Sequence, residues 1–162
     1  MKTLEIIKYG ELKEGLSFSE TARPSINAID ILIETKATGL NPIDYKLVSG
    51  SLKDMVRLNL PSTIGFDVSG VVLEKGADVN GFEVGDAVYA RVPQNQMGTV
   101  AEYVAVDSTV VSKKPENISF EEAAGLPLIG LTSIQALERV GLKEGDRVLI
   151  HAGSGGVGSF AI

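Results

Sequence analysis

The sequence predicts a mainly β fold for about the first 115 residues, followed by a short α/β segment. Apolar and polar residues alternate at 28–36, where Ile29, Ile31 and Ile33 share one face of a half-buried strand. Glycine or proline interrupts nearly every gap between the candidate strands. Near the end, an apolar run precedes a glycine-rich loop. Short strands at this density are typical of a barrel or a sandwich.

The first region contains six candidate strands and one candidate helix. The strands are expected at 3–9, 28–36, 68–74, 87–91, 100–106 and 110–113. The helix is expected at 41–50, because Asn41 suits the N-cap, Pro42 suits the first helical position, and Gly50 suits the C-terminal cap.

The pattern changes after residue 115. Ser119 and Glu122 have the spacing of a capping box, which predicts a short helix that Pro127 ends. Apolar spacing predicts a second helix at about 131–140, and the run at 147–151 predicts a compact strand that packs its single histidine, His151. There is no internal repeat.

Composition excludes several function classes. The formal net charge is −6 and the longest basic run has two residues, so nucleic acid is not expected as a partner. No apolar run approaches the ~20 residues of a membrane span, and the first residues lack the pattern of a secretory signal, so we expect a cytoplasmic protein without membrane contact. There is no cysteine and only one histidine. Disulfides, thiolate catalysis and thiolate zinc sites are therefore excluded.

The loop after the last candidate strand carries the G-x-G-x-x-G pattern. Its glycines stand at 153, 155 and 158, where a dinucleotide site needs a tight turn, close backbone approach to the pyrophosphate, and close packing of helix on strand. A glycine-rich turn without a ligand is the alternative. A complete nucleotide-binding unit also needs a second parallel strand, so we expect this chain to be the N-terminal fragment of a longer protein. The alternative is a complete small protein whose last strand joins the first sheet.

Seven strings stand out in order along the chain: GLNPID at 39–44, GFDVSGVV at 65–72, VGDAV at 84–88, AEYV at 101–104, FEEAAGLP at 120–127, GLTS at 130–133 and VLIHA at 148–152. Together they resemble the zinc-independent quinone oxidoreductase (zeta-crystallin-like) branch of the medium-chain dehydrogenase/reductase superfamily. The resemblance implies a GroES-like, partly open β-barrel domain over 1–120. It implies that 121–162 holds linker helices and the first βα element of a truncated Rossmann domain.

The resemblance also implies a reaction without zinc. Zinc-dependent relatives have a cysteine where Asn41 stands, a His-Glu pair where Phe66 and Asp67 stand, and a four-cysteine lobe in place of the short stretch 93–98. The complete enzyme is expected to reduce quinones or α,β-unsaturated carbonyls with NADPH, NADH not being excluded. It is expected to be a homodimer, whereas the fragment alone is expected to be inactive, without tight NADPH binding, and able to self-associate.

By the same resemblance, the candidate catalytic residues are Asn41, Tyr45 and Lys46, and Asn41 is also a candidate cofactor contact. Further candidate cofactor contacts are Thr132, Gly155, Gly156, Val157 and Gly158. Each has a structural alternative: a helix cap for Asn41, a packed ring for Tyr45, a solvated amine for Lys46 and an early-helix hydroxyl for Thr132. Asp67 is expected to hydrogen-bond backbone.

Two other functions are open on the sequence. One is a binding or crystallin-type structural member of the same family that does not turn over substrate. The other is a stand-alone GroES-like module without a cofactor.

Overall fold

Antiparallel strands dominate the first 113 residues of the computed structural model, which describes residues 1–162. The strands are β1 (Lys2–Ile6), β2 (Leu16–Glu20), β3 (Asp30–Gly39), β4 (Ser62–Thr63), β5 (Asp67–Lys75), β6 (Ala87–Arg91), β7 (Tyr103–Asp107) and β8 (Val111–Lys113). The helices are α1 (Leu12–Gly15), α2 (Pro42–Val48), α3 (Phe120–Ala124), α4 (Pro127–Arg139) and α5 (Gly156–Ala161).

The strands form two sheets. One has the order β2-β1-β4, and the other has the order β7-β3-β5-β6-β8. A single bridge between Thr3 and Ala101 joins them beyond the named strands. The sheets do not close into a continuous ring, which confirms the predicted GroES-like, partly open barrel.

Sixteen buried apolar residues form the core between the sheets. In β3, Ile31 and Ile33 point into this core, as their period-two spacing predicts. Leu32 is also buried but lies outside the core cluster, so the start of β3 is covered on both faces. This explains why Leu32 departs from the alternating pattern.

The predicted helix at 41–50 is confirmed as α2. Asn41 is its N-cap residue and Pro42 its first residue. Gly50 follows the helix with a φ of +75°, a left-handed conformation that glycine adopts at little cost. The sequence prediction omitted α1, β2 and β4.

The helices after β8 follow the sequence in part. Ser119 Oγ accepts the Glu122 N–H at 3.1 Å and a Glu122 carboxylate oxygen accepts the Ser119 N–H at 2.8 Å, which confirms the capping box of α3. The prediction that Pro127 ends a helix is wrong, because Pro127 opens α4 four residues before the predicted start. Proline suits a first helical position, where no backbone donor is needed.

The predicted strand at 147–151 does not form. Its residues take part in no backbone hydrogen bond, and Val148 and Leu149 are exposed. A strand requires a neighbour to complete its ladder, and no other strand of this chain lies beside these residues. His151 is exposed in a turn, so the prediction that it packs inside the fold is also wrong. No helix has the length and apolar character needed to cross a membrane.

Candidate active site

Asn41 is held by two carboxylates at the start of α2. Its backbone N–H donates to Asp44 Oδ2 at 2.7 Å, and its side-chain Nδ2 donates to Asp67 Oδ2 at 2.9 Å. The first bond is the carboxylate half of a capping box and follows from the Asn-x-x-Asp spacing. The second bond joins residues from different elements. Both the position and the side-chain direction of Asn41 are therefore fixed.

Asp67 lies where β5 meets the helical segment. It is the first residue of β5 and pairs with Gly39 on one side and Arg91 on the other. Its Oδ2 also accepts the Leu128 backbone N–H at 3.2 Å, as the sequence-based expectation of a backbone hydrogen bond requires. A side chain at Gly39 would overlap the Ala124 carbonyl oxygen, so glycine there allows α3 to approach β3 closely.

Both carboxyl groups are buried. Asp67 is 1% exposed and Asp44 is 4% exposed, and the Oδ1 atom of each has no hydrogen-bond partner. Burial raises the pKa of Asp67 from 3.8 to about 6, although hydrogen bonds from Asn41 and Leu128 and the charge of Arg91 oppose the rise. Burial also raises the pKa of Asp44.

Asn41 and Tyr45 line one apolar pocket of about 340 Å³ beside α2. Seven of its ten lining residues are hydrophobic, Tyr45 among them, and Asn41 and Asp44 are the polar residues on its wall. The Tyr45 ring is half exposed, so it is not the packed ring of the structural alternative. Lys46 is exposed and does not line this pocket. The structure therefore brings two of the three candidate catalytic residues to one cavity.

The other candidates lie on the helices after β8. Thr132 is the sixth residue of α4, one turn beyond Leu128, and it is exposed. Gly155 is the N-cap residue of α5. Gly158 is buried, and a side chain there would overlap the Ala152 carbonyl oxygen.

A contact between α4 and α5 fixes the glycine loop. The buried Ser133 hydroxyl lies 2.9 Å from the Val157 carbonyl oxygen. The two helices form one wall of a cleft of about 530 Å³, and β6 and β8 form the other. Arg91 and Phe160 line this cleft, whereas Thr132 lines neither cavity.

Sequence reasoning missed two charged residues of the site. Asp44 carried a signal, since it stands three residues after an N-cap asparagine, as in a capping box. No sequence signal pointed to Arg91. Its guanidinium lies 5.5 Å from the centroid of the Phe66 ring, and this contact arises only because β5 pairs with β6. No three of the histidine, aspartate and glutamate side chains are grouped as metal ligands would be.

Comparison with known proteins shows which family the chain belongs to. The family model of the alcohol dehydrogenase GroES-like domain matches residues 27–116. The 2-methylene-furan-3-one reductase of Solanum lycopersicum is 39% identical over all of this chain and 43% of its own length. The chloroplastic NADPH-dependent alkenal/one oxidoreductase of Arabidopsis thaliana is 40% identical over all of this chain and 43% of its own length.

A solved structure extends the likeness to the whole fold. The quinone oxidoreductase of Coxiella burnetii superposes with a TM-score of 0.89 at 41% identity, over all of this chain and 52% of its own. The chain thus spans about half the length of the proteins that it matches. With the family model matching more than half of its residues, the chain belongs to the alcohol dehydrogenase GroES-like domain family of the medium-chain dehydrogenase/reductase superfamily.

Proposed function

We propose that this chain forms the GroES-like part of an NADPH-dependent oxidoreductase that reduces quinones or α,β-unsaturated carbonyl compounds. The observation that carries the proposal is the pairing of Asn41 and Tyr45 on one apolar pocket. An apolar cavity with few polar groups suits a conjugated carbonyl compound. The names of the three similar proteins support this reaction class.

The residues of the glycine loop fit a dinucleotide. Gly158 has no room for a side chain against Ala152, as close packing of helix on loop requires. The backbone N–H groups of Gly156, Val157 and Gly158 form no backbone hydrogen bond and remain available to phosphate oxygens. The chain thus offers Gly155, Gly156, Val157 and Gly158 to the cofactor, and we propose Thr132 and Asn41 as its further contacts.

NADPH, when bound, supplies the hydride for this reaction. Addition of hydride to the β-carbon of an enone, or to a quinone, leaves negative charge on a carbonyl oxygen, and a proton from solvent completes the reduced product. Donors aimed at that oxygen lower the barrier. The Tyr45 hydroxyl and the Asn41 amide are the donors on the pocket wall. Lys46 is exposed on the same helix and does not line this pocket, so we propose no contact between it and this oxygen.

The proposal is tested on the protein encoded by the complete open reading frame. NADPH oxidation is followed with a naphthoquinone and with a medium-chain 2-alkenal. We expect turnover of at least one acceptor, and we expect Tyr45→Phe and Asn41→Ala each to lower kcat by about 10- to 100-fold, at or below the range for loss of one oxyanion donor. Tyr103→Phe, on β7 away from both cavities, is the matched control. Absence of turnover with both acceptors, or unchanged kcat in both variants, would contradict the proposal.

A further inference from the structure

Asp67 connects three elements of the candidate site through one oxygen atom. Its Oδ2 accepts the Asn41 amide at 2.9 Å and the Leu128 N–H at 3.2 Å. Asn41 precedes α2 and Leu128 lies in the first turn of α4, whereas Asp67 begins β5. Thr132 is four residues beyond Leu128, on the same side of α4. Movement of Asp67 would therefore change the position of Asn41 relative to the helix that carries Thr132.

Burial of the Asp67 side chain does not by itself stabilise the fold. The side chain is 1% exposed, and its Oδ1 has no partner. Replacement of a buried ionisable group by an apolar group is often neutral or stabilising, so such a group is a weak source of stability. Two charged groups act on it: Arg91 from β6 attracts the ionised carboxylate, and Asp44 from α2 repels it.

Asp44 has a different task from Asp67. It accepts the backbone N–H of Asn41, which belongs to the start of α2 itself. Asp67 accepts a hydrogen bond from the side-chain amide of Asn41, a residue that lines the apolar pocket beside α2. The orientation of the Asn41 side-chain amide therefore depends on Asp67, whereas the backbone at the start of α2 is held by Asp44.

We propose that Asp67 is a positioning residue: its Oδ2 holds the Asn41 amide in a fixed orientation relative to α4, and it acts on the reaction only through Asn41. This inference rests on the proposed function for its kinetic consequence. Its structural part, the contact between Asp67 and the Asn41 amide, is independent of any activity.

The kinetic test is a double-mutant cycle on the protein from the complete reading frame, with Asp67→Ala, Asn41→Ala and the double variant. If Asp67 acts through Asn41, we expect Asp67→Ala to lower kcat/KM about tenfold in the wild-type background and less than twofold in the Asn41→Ala background. A general structural effect would instead lower kcat/KM by the same factor in both backgrounds, and this result would overturn the proposal.

A second measurement does not require activity or loss of the side chain. In the 162-residue chain, the two Asn41 Nδ2 proton resonances are followed by NMR against pH. They are expected to shift with a midpoint near the Asp67 pKa of about 6 and to lose this response in Asp67→Asn, which keeps the shape of the side chain. Asp54→Asn, on the exposed loop after α2, is the control that keeps the wild-type response. An unchanged response in Asp67→Asn would overturn the contact, whereas a missing turnover in the wild type would overturn only the proposed function.

Discussion

Replacement of Asp67 by asparagine is expected to change how stability depends on pH. In the folded protein, burial raises the pKa of this carboxyl from 3.8 to about 6. The folded state therefore binds a proton more tightly than the unfolded state does. The stability contributed by protonated Asp67 is fully present below pH 3.8 and is lost as the pH rises through about 6.

The magnitude follows from the two pKa values. A tenfold change in proton affinity corresponds to about 1.4 kcal/mol, so the rise from 3.8 to about 6 corresponds to about 3 kcal/mol. Asparagine does not titrate. As the pH is raised through this window, the wild type is expected to lose about 3 kcal/mol of unfolding free energy that Asp67→Asn does not lose. The difference between the two proteins therefore shifts by about 3 kcal/mol in favour of the variant. The unpaired amide of the variant costs about 1–3 kcal/mol at every pH and does not alter this difference in slope.

Urea unfolding of the 162-residue chain across this pH range measures the effect. Subtracting the variant curve from the wild-type curve removes the contributions of Asp86, Asp107 and Glu121, whose pKa values are lowered by local hydrogen bonds. Asp54→Asn is the matched control, since its side chain is exposed and it is expected to run parallel to the wild type. Parallel curves for Asp67→Asn and the wild type would refute the reasoning.

Three further substitutions test the fold and the loop. Ser119→Ala removes the cap of α3 and is expected to cost about 1 kcal/mol in urea unfolding, whereas an unchanged midpoint would contradict the capping role. Phe66→Ala removes a ring that is 1% exposed and is expected to cost about 3–5 kcal/mol by the same assay; a cost below about 1 kcal/mol would show that the ring is not a core group. Gly158→Ala places a methyl group on the Ala152 carbonyl oxygen and is expected to raise the KM for NADPH at least tenfold in the complete protein. Gly125→Ala is the control, because Gly125 has a helical φ of −76° and the added group makes only ordinary van der Waals contacts.

Local sequence signals predicted the elements that depend on local chemistry. The cap residues Asn41 and Ser119 are each recognised from a four-residue motif, and each directly precedes the helix that it predicts. The alternation of Ile31 and Ile33 identifies the buried face of β3. Pro127 misled the prediction, because proline is common both after a helix and at its first turn. The run at 147–151 has the composition of a strand, yet a strand depends on a partner that a local pattern does not supply.

The candidate site also contains residues that a local pattern reveals and residues that only the folded structure brings together. The glycine loop is visible in the sequence because its spacing is local, and the resemblance to a known family pointed to Asn41 and Tyr45. The contact between Asn41 and Asp67 spans 26 residues, and the contact between Asp67 and Leu128 spans 61. These contacts arise only when β5 lies beside β3 and α4 reaches the end of both, so no pattern of spacing could reveal them.

The hydrogen bond from Leu128 N–H to Asp67 means that α4 is capped from a distance. Leu126, the residue in the N-cap position, has no side chain able to accept a backbone hydrogen bond, and Pro127 has no N–H to be satisfied. The next N–H of the helix, that of Leu128, therefore donates to Asp67 of β5, a residue 61 positions earlier in the chain. The first turn of α4 therefore keeps this hydrogen bond only while β5 is in place, so loss of β5 from the sheet would leave the start of the helix without its cap.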